Sequence, residues 1–264
     1  MSRLTPYFEQ LKSQNKKALI PYVVAGDPDL ETTLAIMHQS VESGADILEI
    51  GVPFSDPMAE GPVIQAAHER ALEHNVSLAD TLALVAKFRE TNDHTPVLLM
   101  GYANPVEAMG YPAFADRAKT SGVDAVLLVD MPPEESVRLQ AALKPHGIDN
   151  IFLISPTTND DRIAKIANVA SGFLYYVSLK GVTGAGHFDI RSVEENLARI
   201  SQFSDLPVCV GFGIKDADSA RQVAKVADGV VVGSAVVKLI EASKSNVLEP
   251  VGSFIRSLNE AIIS

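Results

Sequence analysis

Three carboxylates cluster in one short stretch of this chain: Glu49, Asp56 and Glu60. Glu49 stands inside the apolar run Ala45-Asp46-Ile47-Leu48-Glu49-Ile50-Gly51-Val52, which reads as a buried strand. A charged group there is costly unless it is paired, hydrated by a cavity or kept protonated. The run leads into Pro53-Phe54-Ser55-Asp56-Pro57-Met58-Ala59-Glu60-Gly61-Pro62, a loop rich in Pro and Gly that carries the other two acids. A buried acid beside an acid-bearing loop is the layout of a proton-transfer site. The alternative is a structural glutamate hydrogen-bonded to a buried tyrosine.

A second chemistry is anion binding. Gly211-Phe212-Gly213-Ile214 and Gly233-Ser234-Ala235 follow two late apolar runs, and Gly181-Val182-Thr183-Gly184-Ala185-Gly186 precedes them. Glycine lets backbone N–H groups approach a phosphate closely, most effectively beside a helix N-terminus. The net charge of -11 repels anions at long range, so local donors of this kind are what a phosphate ester requires. Ordinary turn glycine is the competing reading of each loop taken singly.

The elements that must position these residues recur with one rhythm. Strand-length apolar runs span 18–25, 45–52, 97–103, 125–130, 151–155, 173–178, 208–212 and 229–232. Stretches with helical apolar spacing lie between them, among them 30–41, 78–88, 163–169 and 217–226. The runs are continuously apolar, as when both faces of a parallel sheet are covered. Eight such units predict an α/β fold of the (β/α)8 TIM-barrel type in a single domain over residues 1–264, with an extra N-terminal helix and long loops after strands 2 and 6. A doubly wound open sheet is the runner-up. The gap 53–96 has room for an active-site loop and an extra helix, and 134–143 reads as a helix with one solvated, charged face.

Barrel chemistry gathers at the C-terminal strand ends. If Leu48 and Ile50 face the helices, Ile47, Glu49 and Gly51 face the barrel interior. Phe173, Tyr175 and Val177 share a face by the same count, so Tyr175 could meet Glu49 across the barrel.

Composition excludes several classes. The acidic balance argues against a non-specific nucleic-acid or anionic-membrane surface. The lone Cys209 cannot build a disulfide framework, lies mid-strand and reads as inert core. The N-terminus has no apolar signal core and no run is long enough to span a bilayer, so the expectation is a cytoplasmic protein. His38, His68, His74, His94, His146 and His187 show no metal-ligand spacing, and no metal site is expected.

The run 48–62 resembles the signature of the tryptophan synthase alpha subunit family. Further similar segments are Pro21-Tyr22-Val23-Val24-Ala25-Gly26-Asp27-Pro28, Gly101-Tyr102-Ala103-Asn104-Pro105, Asp130-Met131-Pro132-Pro133-Glu134-Glu135, Ser178-Leu179-Lys180-Gly181-Val182-Thr183-Gly184 and Gly211-Phe212-Gly213-Ile214. They cover nearly the whole chain in the family's order.

The resemblance implies a lyase of tryptophan biosynthesis that cleaves indole-3-glycerol phosphate to indole and glyceraldehyde 3-phosphate by a retro-aldol step. It implies Glu49 as general acid/base and Glu60, where relatives most often carry Asp, as the second carboxylate; Asp56 is the competing candidate. It places Tyr22, Met100, Leu127, Val129, Leu153, Tyr175 and Phe212 about the indole ring, with Thr183 reaching Glu60; Tyr22 is Phe in many relatives. It assigns the phosphate to Gly184, Gly213, Gly233 and Ser234. No cofactor is expected in this chain. The implied partner is a pyridoxal-phosphate-dependent beta subunit in an alpha2-beta2 heterotetramer, docked on the loops that carry Pro53, Asp56, Pro57, Asn104 and Pro105. A phosphate-binding barrel isomerase would share the glycine loops, and a degenerate barrel kept as a binding partner would share the surface; neither would release indole.

Overall fold

The computed structural model describes residues 2–178, 190–211, 213–243 and 246–263. Eight strands close into one parallel barrel in sequence order: β1 (Ala18–Val24), β2 (Leu48–Gly51), β3 (Val97–Gly101), β4 (Ala125–Leu128), β5 (Asp149–Ile154), β6 (Leu174–Val177), β7 (Val208–Gly211) and β8 (Gly229–Val232). β1 pairs with both β2 and β8, which closes the sheet and leaves no open edge. The expected barrel is observed and the open sheet is not.

Side-chain alternation splits the apolar residues into two layers. Leu48, Ile50, Val97, Leu99, Val126 and Leu128 pack outward beneath the helices. Ile20, Ile47, Leu98, Leu127, Ile151, Phe173, Tyr175, Cys209 and Val231 fill the interior. Ile47 and its interior neighbours thereby put Glu49 on the inward face. The N-terminal helix Leu4–Ser13 spaces Leu4, Phe8 and Leu11 along one stripe and sets it against the interior layer, with the Phe8 and Phe173 ring centroids 5.8 Å apart.

Two helices, Pro62–Glu73 and Leu78–Arg89, occupy the long gap between β2 and β3. The first opens on Pro62, whose absent N–H falls where no intrahelical partner exists. The second is fixed by a capping box between Ser77 and Asp80. Arg70 of the first helix grips the buried Asp27 carboxylate with Nε and Nη2 at 2.7 and 2.9 Å, and donates from Nη1 to Glu241 at 3.1 Å. That clamp ties the end of β1 to the helices Pro62–Glu73 and Ser234–Ala242. At the opposite end of the barrel Asp124, which is buried, accepts from Arg3, Arg89 and the Val97 amide, each at 2.9 Å.

Several boundaries differ from the sequence reading. β2 begins at Leu48, not Ala45, because Asp46 spends its carboxylate on the Leu19 amide at 2.8 Å and on the Tyr7 hydroxyl at 3.1 Å. The helix expected from Glu134 starts at Val137, since Pro132 and Pro133 form turns that accept from Glu135 and Ser136. Asn104 and Pro105 lie in the first turn of the helix Ala103–Met109 rather than in a loop. The long loop expected after β6 falls at 179–189, outside the described residues. No described helix is long and apolar enough to cross a membrane.

Candidate active site

A cavity of about 200 Å³ opens among the C-terminal strand ends and gathers Tyr22, Glu49, Glu60, Met100, Tyr175, Gly233 and Ser234. Strand register explains the gathering. Tyr22 on β1 pairs with Glu49 on β2, Met100 on β3 lies one step past Leu99, which pairs with Ile50, and Tyr175 on β6 lies beside Cys209 on β7. Glu60 arrives from the β2 loop, directly before the Gly61 cap of the helix Pro62–Glu73.

Glu49 is fully buried, and neither carboxyl oxygen has a hydrogen-bond partner among the described residues. Burial first, and the Glu60 charge second, push its pKa up to about 8. Glu60 is 9% exposed, and burial pushes its pKa up to about 7. Around neutral pH two carboxyl groups of this kind hold their protons weakly enough to give them up and strongly enough to take them back. The structural reading of Glu49 as a glutamate tied to a tyrosine is not what the geometry shows. Tyr175 lines the same cavity, yet no hydrogen bond joins it to Glu49.

The tyrosines fit because β2 and β7 end in glycine. A Cβ on Gly51 would fall well inside van der Waals contact with the Tyr22 phenol, and one on Gly211 would lie 2.5 Å from the Tyr175 hydroxyl. Gly211 therefore makes room for an aromatic ring, where its sequence context suggested an anion loop.

The loop bearing Glu60 is tied down from several sides. The Tyr102 hydroxyl accepts from the Ala59 amide at 3.1 Å, and its ring stacks on Phe54 with centroids 4.9 Å apart. Gln65 donates to the Glu60 carbonyl at 2.8 Å. Asp56, the competing acid, is exposed, and its carboxylate accepts from Ser55 at 2.6 Å, outside the cavity.

Not every expected residue joins the cavity. Leu127 is buried in the interior layer, and Leu153 and Val129 pack on that layer while bordering a second cleft of about 380 Å³ with Asp130, Thr158 and Arg162. That cleft is roomier, but its Asp130 is exposed and its Thr158 and Arg162 half-buried, unlike Glu49 and Glu60, so the first cavity is the candidate site. Gly213 adopts a φ of +83° just past β7. Thr183, Gly184 and Phe212 lie outside the described residues. Of the residues expected on a docking face, Pro53 is buried, Asp56 and Asn104 are exposed, and Pro57 and Pro105 half-buried.

Two residues were missed. Lys238 lines the cavity one helical turn after Ser234, a spacing that the sequence displays once the helix start at Ser234 is recognised. His68, set aside with the other histidines, is buried against the site: Nδ1 accepts from the Phe54 amide at 3.1 Å and Nε2 lies 3.5 Å from the Tyr22 hydroxyl.

A closed parallel barrel with two buried, perturbed carboxyl groups at its C-terminal mouth has the layout of an acid–base enzyme. The family model described as Tryptophan synthase alpha chain matches residues 8–262. The chain belongs to that family, and so to the lyases of tryptophan biosynthesis. The Tryptophan synthase alpha chain of Thioalkalivibrio sulfidiphilus is 59% identical over 240 residues, covering 91% of this chain and 90% of the relative. That of Nitrosomonas europaea is 53% identical over 263 residues, covering 99% and 96%. The crystal structure of tryptophan synthase subunit alpha from Legionella pneumophila superposes with a TM-score of 0.93 at 46% identity, covering 100% of this chain and 99% of that one.

Proposed function

We propose that Glu49 and Glu60 carry out the family's reaction, the retro-aldol cleavage of indole-3-glycerol phosphate to indole and glyceraldehyde 3-phosphate. The observation that supports it is the Glu49 carboxyl, wholly buried, unpartnered and facing the cavity that Glu60 shares. Protonated Glu49 delivers its proton to indole C3, and the positive charge that develops on the ring nitrogen rests on the Glu60 carboxylate. The bond from C3 to the side chain then breaks, its electron pair returning to the ring. The hydroxyl proton of the side chain passes to Glu49, the hydroxyl carbon becomes the aldehyde and the acid is restored. The ring is the electron acceptor, so the step draws only on these side chains. General acid–base help of this kind is typically worth ~10²–10⁴-fold in rate.

Tyr22, Met100 and Tyr175 form the apolar wall for the indole ring. The phosphate takes the Gly233 and Ser234 end, where the N-terminus of the helix Ser234–Ala242 meets the cavity and Lys238 is among the lining residues. The beta subunit, with its pyridoxal phosphate, docks on the rim that carries Asp56, Pro57, Asn104 and Pro105. Met58 on the same loop is 84% exposed, an apolar side chain with nothing covering it in the isolated chain.

The test is indole release from indole-3-glycerol phosphate by the purified chain, with and without a beta subunit. Glu49→Gln is expected to abolish release. Glu60→Ala is expected to lose turnover by at least about 100-fold with substrate binding retained, and Glu60→Asp to stay active. An active Glu60→Ala enzyme would move the second role elsewhere.

A further inference from the structure

Tyr22 brings a hydroxyl into the cavity wall, as Tyr175 does from β6, and its surroundings dictate where that proton points. The ring is 2% exposed and its tip lies over Gly51. Its oxygen faces His68 Nε2 at 3.5 Å on one side and the cavity on the other. The tautomer of His68 is set by its second nitrogen. Nδ1 accepts the Phe54 N–H, so it carries a lone pair and not a proton. Burial pushes the imidazole pKa down to about 4, so the ring is neutral and its one N–H sits on Nε2, directed at the phenol. The phenol oxygen accepts there. Its own proton must turn the other way, into the space that holds Glu49 and Glu60.

Among the described residues neither Glu49 oxygen has a partner, and the one hydrogen bond of the Tyr22 hydroxyl is to His68. We infer that Tyr22 is a donor in waiting, its phenolic proton turned into the cavity to meet a carboxyl group there once that group ionises, and that His68 is the positioning residue that holds the proton in that direction. The inference rests on the reading of these two acids as the working pair. The titratable groups acting on Tyr22 come from every element around it: Glu60 from the β2 loop, Glu49 from β2, Tyr102 from the end of β3 and Asp27 from the end of β1, with His68 from the helix Pro62–Glu73 and Lys238 from the helix Ser234–Ala242 on the same cavity. A donor aimed at a carboxyl group favours its ionised form. Tyr22 therefore stabilises the state in which the pair shares a single proton, the state that proton delivery at C3 requires. A phenylalanine at this position fills the wall but leaves the ionised acid without that donor.

The experiment follows the side-chain carboxyl resonances of the full chain, ¹³C-labelled at glutamate, through a pH titration, with Glu49→Gln and Glu60→Gln samples assigning the two signals. Tyr22→Phe is expected to raise the lower of the two carboxyl pKa values by ~0.5–1 unit, which is a several-fold change in ionised fraction between the old and new midpoints. His68→Leu, which removes the N–H that turns the phenol, is expected to raise it in the same direction, and the double variant to match Tyr22→Phe alone. His68→Gln, which keeps an acceptor for Phe54 and an N–H for Tyr22, is expected to restore the parent value. In the indole assay the Tyr22→Phe loss appears in kcat, with KM within about twofold. An unchanged titration in Tyr22→Phe, or fully additive shifts in the double variant, overturns the inference. Should His68→Leu fail to fold, Tyr22→Phe alone decides it. A parent chain that releases no indole sinks the catalytic reading, and the carboxyl titration still decides the role of Tyr22.

Discussion

The proton on Glu49 ties catalysis to stability. In the unfolded chain the group titrates near its ordinary 4.5, while burial holds the folded value near 8. Below pH 4.5 both states are protonated and the group is neutral toward folding. Between 4.5 and 8 the unfolded chain gains ionisation that the folded one lacks, so this contribution to stability falls as pH rises and levels off above 8. Glu49→Gln removes the penalty. Urea unfolding at pH 8 is expected to show the variant more stable than the parent by at least about 1.4 kcal/mol, the worth of one pKa unit, with the gap closing toward pH 4.5. Glu49 was legible in the sequence because an acid inside an apolar run is conspicuous. His68 was not, because its meaning lies in a hydroxyl 46 positions away in the chain that only the fold brings near. Lys238 was hidden for a milder reason: its spacing from Ser234 carries meaning only once that serine is known to open a helix.

At the scale of elements, the glycines that end β2 and β7 make room for aromatic rings at the barrel mouth. Gly51→Ala places a methyl group where the Tyr22 phenol lies, and its expected cost is ~1–3 kcal/mol of overpacking. Combining it with Tyr22→Val, which vacates that space, is expected to recover part of the loss. Denaturant midpoints for the two single variants and the double one measure the coupling. Additive losses would show that ring and glycine do not meet. The strands themselves were legible, because continuous apolar runs are what a doubly covered parallel sheet demands. Their ends were less so. Asp46 looks like part of a strand in one dimension, yet its carboxylate caps the β1 ladder instead of extending β2. Asn104 and Pro105 look like loop, but proline suits the first turn of a helix, where its missing N–H has no partner to lose.

Across the whole molecule the two ends of the barrel divide the work, chemistry at the mouth and anchorage at the base. Asp124 gathers Arg3, Arg89 and the Val97 amide under the interior layer. Burial pushes the Arg89 pKa down to about 10, so that cation depends on its acid. Asp124→Ala leaves a half-buried guanidinium uncompensated, and the expected loss is ~3–5 kcal/mol in urea unfolding, with the indole-releasing rate of the folded fraction unchanged. A fall in that rate equal to the fall in stability would show that base and mouth are coupled. Cys209 sits between these ends, wholly buried at the barrel axis, where burial also pushes its thiol pKa upward. A disulfide reagent in the solvent has no route to that sulfur while the staves stay closed. As the chain's sole thiol, it makes the unmodified protein its own stopwatch: the pace of labelling in native buffer counts how often the cylinder comes apart.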